Sequence, residues 1–197
     1  MKRTGFVLFL GWIALGCGGE EGAAPDSSVA ADARISDGAP VDGAVTTSAV
    51  RINEIDGQGP DWFELYNSGS TTVALGGFQV ADLDETTMGP KLTEAASFPA
   101  GTMLPAGGYL VVLANQAAPG SGPQTMCETV VASCFHAGFG ISPSRGDKIH
   151  LLDASGAVVA STAYPMGVPA GQSYGHLPAG GLGNLTRTPG AANTAAP

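Results

Sequence analysis

From residue 48 onward, turn-forming residues divide the chain into short runs of β-forming residues, and no window carries a sustained helical hydrophobic period. Runs rich in Val, Ile, Thr and aromatic residues, bounded by Gly, Pro, Asp and Ser, are typical of strands. Such runs cover residues 49–55, 61–67, 72–75, 77–81, 96–98, 102–104, 108–113, 148–152 and 157–163. About eight short strands at regular spacing predict an all-β fold, a β-sandwich in particular.

Two of these runs carry more information than the others. Residues 108–113 (GYLVVL) are apolar and β-branched throughout, which predicts a central strand buried on both faces. Residues 153–156 (DASG) separate two strand-like runs and predict a hairpin turn.

The N-terminus reads as a targeting segment. Lys2 and Arg3 precede ten apolar residues, 6–15. A helix of that length reaches only about 15 Å, half of a hydrocarbon core of about 30 Å. This length predicts a cleaved signal peptide rather than a permanent membrane span.

The apolar stretch ends in a sequence that resembles the lipobox of bacterial lipoproteins, residues 14–17 (ALGC). The resemblance implies a signal peptide over residues 1–16 and fatty acids such as palmitate on Cys17, although Ala14 stands where Leu is commonest. Several acyl chains together anchor a protein durably in a membrane. The alternative is an ordinary secretory signal with an incidental cysteine.

Residues 17–48 predict a disordered acidic linker between the lipidated cysteine and the β domain. Ala, Gly, Ser, Asp and Pro dominate this segment, and it contains no aromatic residue. Such a composition cannot bury enough apolar surface to offset the entropy lost on ordering. We therefore expect three parts: the signal peptide, the linker, and a β-sandwich domain over residues 49–197.

The charge of the chain argues against nucleic acid as a partner. The formal net charge is −9, and without Lys2 and Arg3 it becomes −11, from 17 acidic and 6 basic residues. Nucleic-acid affinity comes mostly from clustered Lys and Arg. The expected location is the bacterial cell envelope, with lipid anchoring to a membrane. Gly18 after the cysteine favours the outer membrane, at its periplasmic face or at the cell surface.

Several segments of the β region resemble the lamin tail domain family, in the order that the family has them. The segments are residues 52–55 (INEI), 61–67 (DWFELYN), 75–78 (LGGF), 99–112 (PAGTMLPAGGYLVV), 138–142 (GFGIS), 149–153 (IHLLD) and 188–193 (TPGAAN). The resemblance implies an immunoglobulin-like sandwich that acts as a binding or attachment module, with no catalytic residues to carry over. The sequence departs from the family pattern at residues 114–136, which are longer and hold two cysteines.

These two residues, Cys127 and Cys134, are the only cysteines of the β region. In an oxidising envelope we expect a disulfide between them. The alternatives are free thiols, or a zinc site that adds His136 but has no familiar ligand spacing and lacks a fourth ligand.

Three carboxylates fall in the two most diagnostic strands: Glu54, Asp61 and Glu64. Paired carboxylates can do acid–base work in a cleft, can contact a ligand or metal, or can hold backbone N–H groups near a turn. The structural role is the favoured hypothesis. Alternation places Trp62 on the opposite face from Phe63.

Two further motifs invite a functional interpretation. Asp82, Asp84 and Glu85 are weak candidates for Ca²⁺ ligands, although their spacing is not that of an EF-hand and a solvated acidic loop is the simpler interpretation. Residues 171–175 (GQSYG) match the G-x-S-x-G elbow of serine hydrolases. No Asp or Glu follows Ser173, so a triad in the usual order is missing, and a glycine-rich loop is expected.

The sequence therefore predicts a non-enzymatic, membrane-anchored envelope lipoprotein without a cofactor. Its lamin-tail-like module would bind a protein or glycan partner or serve a structural role. A Ca²⁺-assisted carbohydrate-binding module is the alternative, and an envelope hydrolase is a more distant one.

Overall fold

A computed structural model describes residues 49–115 and 134–197 of the chain. The predicted signal peptide, Cys17, the linker and Cys127 lie outside the described residues. Within the described part, no helix is long and apolar enough to cross a membrane.

The regular secondary structure of the described residues is almost entirely β. One short 3-10 helix, Leu92–Glu94, is the exception. The strands are β1 Val50–Asp56, β2 Trp62–Asn67, β3 Val73–Ala74, β4 Gln79–Ala81, β5 Ala96–Ser97, β6 Met103–Leu104, β7 Tyr109–Leu113, β8 Phe135–His136, β9 Asp147–Leu152, β10 Val158–Tyr164, β11 Gln172–His176, β12 Leu182–Thr186 and β13 Thr194–Ala195.

The strands form two main sheets. One sheet has seven strands in the order β13-β12-β11-β1-β2-β7-β8, and the other has four in the order β10-β9-β4-β5, while β3 and β6 pair separately. All the pairings between these strands are antiparallel except that of β7 with β8.

The hydrophobic core lies between the two sheets. Ile52 and Phe63 from the seven-stranded sheet share one buried cluster with Ile149 and Leu151 from the four-stranded sheet. Each alternates along its strand with residues that face away from the core, as the pleat requires. The prediction of an all-β, immunoglobulin-like sandwich is confirmed.

A β-bulge in β1 determines which polar residues reach the outer face of the seven-stranded sheet. Ile52 pairs with Leu65 but Glu54 pairs with Glu64, so Asn53 is an extra residue without a direct partner. A bulge of this kind changes the side-chain alternation of its strand. As a result, Asn53 and Glu54 both point away from the core, and both are buried.

Two expectations about the strands were wrong. The GYLVVL strand, β7, is not central, because it lies sixth of seven, next to the two-residue strand β8. It is apolar throughout because both its faces are covered: Val112 lies in the main core, and Val111 and Leu113 pack with Trp62 on the other face. The glycine-rich region expected as a loop instead forms β11, and β12 and β13 extend the sheet beyond it.

Candidate functional site

Glu54 and Glu64 face each other directly across the β1–β2 pairing. Both side chains are buried, with an exposed fraction of 0%. A buried carboxyl group is costly unless its oxygens are hydrogen-bonded. The partners of these two groups therefore show what the pair does in the folded protein.

The partners of Glu54 come from distant parts of the chain. The hydroxyl of Ser173, in β11, donates to Oε1. The backbone N–H of Thr188 donates to the same oxygen at 3.0 Å, and the Thr188 hydroxyl donates to Oε2 at 2.7 Å. Both oxygens of Glu54 are thus satisfied by residues that lie more than a hundred positions later in the sequence.

Glu64 binds the same distant region. Its Oε2 accepts a hydrogen bond from the backbone N–H of Gly190 at 2.8 Å, and its Oε1 accepts one from Nδ2 of Asn53 at 2.7 Å. Asn53 Nδ2 also donates to Oδ1 of Asn193 at 2.7 Å, and Asn193 Nδ2 donates to the carbonyl oxygen of Asn53 at 3.1 Å. We refer to residues 187–193 as the C-terminal segment. The two glutamates and Asn53 hold it against the outer face of the sheet.

An ion pair fixes the beginning of the C-terminal segment. Arg187 Nε lies 2.6 Å from Asp56 Oδ2, and the carboxylate of Asp56 is almost fully buried. Asp56 also accepts the backbone N–H of Gln58 at 2.8 Å, within the turn that follows β1. Burial raises the pKa of Asp56, and Arg187 together with the Gln58 N–H opposes that shift. The ion pair therefore links the C-terminal segment to both β1 and its turn.

The environment of the two glutamates favours their protonated forms. Burial raises the pKa of Glu64 from 4.5 to about 8, and the nearby Glu54 adds to the shift, although the bonds from Asn53 and Gly190 oppose it. Burial also raises the pKa of Glu54, against its hydrogen bonds to Ser173 and Thr188. Glu64 therefore carries a proton at neutral pH, which removes the repulsion that two facing carboxylates would otherwise have.

Asp61, the third carboxylate singled out from the sequence, does not join this pair. Its Oδ2 accepts the backbone N–H of Ile141 at 3.1 Å, across the loop that precedes β9. Burial raises the pKa of Asp61, and the proximity of Asp147 adds to the shift. The sequence grouped Asp61 with the glutamates, but the structure gives it a separate contact.

The G-x-S-x-G match has a structural explanation. Ser173 is fully buried, and its hydroxyl donates to Glu54, so it is not presented to solvent. A Cβ on Gly175 would lie 2.1 Å from the carbonyl oxygen of Asn53, so the bulge in β1 leaves room only for glycine there. The motif lies in a strand, β11, and lacks the strand–turn–helix geometry that a nucleophile elbow needs.

The three acidic residues proposed as weak calcium candidates point to different partners. Asp82 interacts with the carboxyl group of Asp147. Asp84 accepts the backbone N–H groups of Thr86 and Thr87, and Glu85 pairs with Arg145 at 3.5 Å on the surface. No group of three or more His, Cys, Asp or Glu residues in the described ranges is arranged to hold a metal ion. Calcium binding at these residues therefore stays an untested alternative and is not the expected outcome.

Cys134 and His136 are both buried, at the edge of the seven-stranded sheet that β8 forms. Cys134 packs with Trp62, Val111 and Leu113 in a second apolar cluster, on the face opposite the main core. Trp62 thus lies opposite Phe63, as alternation predicts. Cys127 lies outside the described residues, so its bond to Cys134 and the zinc alternative both remain predictions.

Sequence reasoning missed most of the residues that hold the C-terminal segment against the sheet. The list comprises Asn53, Arg187, Thr188, Gly190 and Asn193. Asn53 and residues 188–193 appeared only as pieces of the family resemblance. The only indication in the sequence was that the segment around Asn53 and residues 188–193 both contain polar side chains. Nothing in that pattern indicates that the two segments are in contact.

The fold and the site together define a class: an immunoglobulin-like sandwich whose paired carboxyls hold the chain's own C-terminal segment. Comparison with family models gives a match to the lamin tail domain over residues 44–165, more than half of the chain. The chain therefore belongs to the lamin tail domain family, a family of non-enzymatic immunoglobulin-like domains. A search of curated proteins found no match.

Proposed function

We propose that the chain is a membrane-anchored lipoprotein of the bacterial cell envelope whose lamin-tail-like sandwich is a non-catalytic binding or structural module. A single acyl chain on Cys17 would give only reversible membrane binding, whereas several chains together would anchor the protein durably. The acidic linker would separate the sandwich from the lipid headgroups.

The observation that supports a non-catalytic role is that the paired glutamates are already hydrogen-bonded to other residues of the protein. An acid–base pair needs access to substrate within hydrogen-bond reach. Glu54 and Glu64 are fully buried, and both bind the C-terminal segment instead. Ser173, which a hydrolase mechanism would need as nucleophile, is buried on Glu54. These contacts favour a structural role for all three side chains.

The anchoring part is tested by metabolic labelling with a palmitate analogue in a bacterium that makes the full chain. We expect label on the wild type and on a Cys127→Ser control, and none on Cys17→Ser. Fractionation should place the labelled protein with the outer membrane. Unlabelled wild-type protein recovered from the soluble fraction would refute the lipoprotein proposal.

The non-catalytic part is tested by incubating the purified full chain with generic ester, phosphodiester and glycoside substrates. We expect no turnover above that of a Ser173→Ala variant measured alongside. Turnover that the wild type has and this variant loses would contradict the proposal and favour an envelope hydrolase.

A further inference from the structure

A row of three cross-strand neighbours crosses the outer face of the seven-stranded sheet. Arg51 in β1 pairs with Tyr66 in β2, and Tyr66 pairs with Tyr109 in β7. Direct cross-strand partners point to the same face of a sheet. The Tyr66 and Tyr109 rings stack with centroids 4.7 Å apart, and the Arg51 guanidinium lies 5.0 Å from the centroid of Tyr66.

This row forms one wall of a cavity that we call the aromatic groove. Its volume is about 290 Å³, and its other walls include His176, Pro178 and Asn193. Ligand pockets are usually about 300–1,000 Å³, so the groove fits a ligand the size of one sugar ring. The groove is lined by no Asp or Glu, although the chain has a net charge of −9.

The guanidinium of Arg51 is oriented but has unused donors. Its Nε donates to Oδ1 of Asn53 at 3.2 Å, and its guanidinium carbon lies over the Tyr66 ring. Its two terminal amino groups make no hydrogen bond or ion pair with the described residues. A planar guanidinium with free terminal donors binds carboxylate or phosphate in a two-pronged fashion.

The neighbours of Arg51 do not neutralise it. Glu64 is the buried acid close to this row, and its pKa of about 8 keeps it uncharged at neutral pH. Burial lowers the pKa of His176, and the charge of Arg51 lowers it further, so the imidazole is neutral and available as a hydrogen-bonding group. The groove thus combines one uncompensated cation with tyrosine rings, which offer both apolar faces and polar hydroxyls.

We propose that the aromatic groove binds a sugar residue that carries an anionic group. Arg51 pairs with the anion, and the ring of the sugar packs against the tyrosines. This inference rests on the proposed binding role of the module, and it requires neither lipidation nor calcium.

The experiment titrates the full chain, purified in detergent, against three fluorescent probes of equal size. These are a galacturonic-acid oligosaccharide, the matching neutral galactose oligosaccharide and a phosphorylated galactose oligosaccharide. We expect saturable binding of at least one anionic probe, at least tenfold tighter than the neutral one and unchanged by a calcium chelator. The anionic probe with the higher affinity shows whether the groove prefers a uronate or a sugar phosphate.

Variants identify the site. Losing one charge-assisted contact costs about tenfold or more in affinity, so Arg51→Gln should weaken anionic binding by at least that factor. Arg145→Gln, which removes a surface arginine far along the chain, is the matched control and should bind as the wild type does. Melting temperatures of both variants show whether they remain folded.

Several outcomes would overturn the inference. The first is equal affinity for the neutral and anionic probes. The second is no saturable binding of any probe, and the third is full binding by a folded Arg51→Gln variant. None of these affects the labelling and fractionation that test the proposed anchoring, so failure here is distinguishable from failure there.

Discussion

Glu64 accepts a hydrogen bond from the backbone N–H of Gly190, 126 residues later in the chain. Together with Glu54, which binds Thr188, it connects the first hairpin of the domain to its last segment. The buried glutamates thus accept hydrogen bonds from the backbone of a distant segment. Because of these bonds, pH and mutation should change the stability of the domain measurably.

The stability of the domain should fall as pH rises through the titration of Glu64. Its pKa is about 8 in the folded protein against an ordinary 4.5, so the folded state binds the proton more tightly than the unfolded chain. The contribution is fully present below pH 4.5 and is lost as pH rises towards 8, with a slope of up to about 1.4 kcal/mol per pH unit. Urea unfolding across this pH range measures the free energy of unfolding.

Other buried acids with raised pKa values, Glu54 among them, also make stability fall as pH rises. A variant is therefore needed to isolate the contribution of Glu64 to the slope. Glu64→Gln should have a shallower slope than the wild type, whereas the exposed Glu85→Gln should keep the wild-type slope. Identical slopes for wild type and Glu64→Gln would show that Glu64 does not titrate in this way.

Gly175→Ala should strongly destabilise the domain. The new Cβ would lie 2.1 Å from the Asn53 carbonyl oxygen, and relief requires movement of β11 or of the bulge. We expect a loss of roughly 3 kcal/mol, at the upper end of ordinary single substitutions. Gly89→Ala is the control, because its Cβ would be no closer than 3.6 Å to Thr87 Oγ1. Thermal melts of the two variants that coincide would contradict the close packing.

Cys127 and Cys134 should form a disulfide in protein isolated from the envelope. Peptide mapping without reduction should find the two cysteine peptides linked, with the mass of two hydrogens missing. A disulfide that closes so short a loop stabilises the folded protein by roughly 2–3 kcal/mol. Cys127→Ser should therefore lower the melting temperature of the oxidised protein and leave that of the reduced protein unchanged. Two free thiols in the native protein, or bound zinc released on denaturation, would show that the prediction is wrong.

Millimolar Ca²⁺ should leave the melting temperature unchanged. Asp82, Asp84 and Glu85 each have separate partners, and gathering them around one ion would break those contacts. A ligand that binds only the folded state raises its stability in proportion to RT ln(1 + [L]/Kd), so a rise would be readily seen. A rise with Ca²⁺ that Asp84→Asn abolishes would establish a calcium site and revive the calcium-assisted alternative.

Most of the strands from β1 to β10 could be predicted from the sequence because each of them carries its own signal. β1, β2 and the β9–β10 hairpin alternate apolar and polar residues between clear turns. β11 (QSYGH) and β12 (LGNLT), by contrast, each contain a glycine and few apolar residues. Their place in the sheet depends on tertiary contacts, such as the close approach of Gly175 to Asn53, which no local pattern expresses.

For a related reason, the pair of glutamates in the site could be predicted but their partners could not. Two acidic residues in adjacent antiparallel strands are expected to lie near each other, and Glu54 and Glu64 do. Their partners Ser173 and Thr188 are 119 and 134 residues from Glu54, beyond the reach of any periodic pattern. The bulge at Asn53 does show in the sequence, as two polar residues between Ile52 and Ile55, but this pattern does not indicate which segment they bind.

The C-terminal segment leaves the ribosome after strands β1 to β12. Until it arrives, Glu54 lacks its bonds from Thr188 and Glu64 lacks its bond from Gly190, and burying incompletely bonded acids would be unfavourable. A nascent or truncated chain that stops at residue 186 would hold an incomplete sandwich with a hydrated hairpin. A protease that trims the C-terminal segment would therefore remove the Thr188 and Gly190 N–H groups from Glu54 and Glu64 and leave two acids with unmet hydrogen bonds.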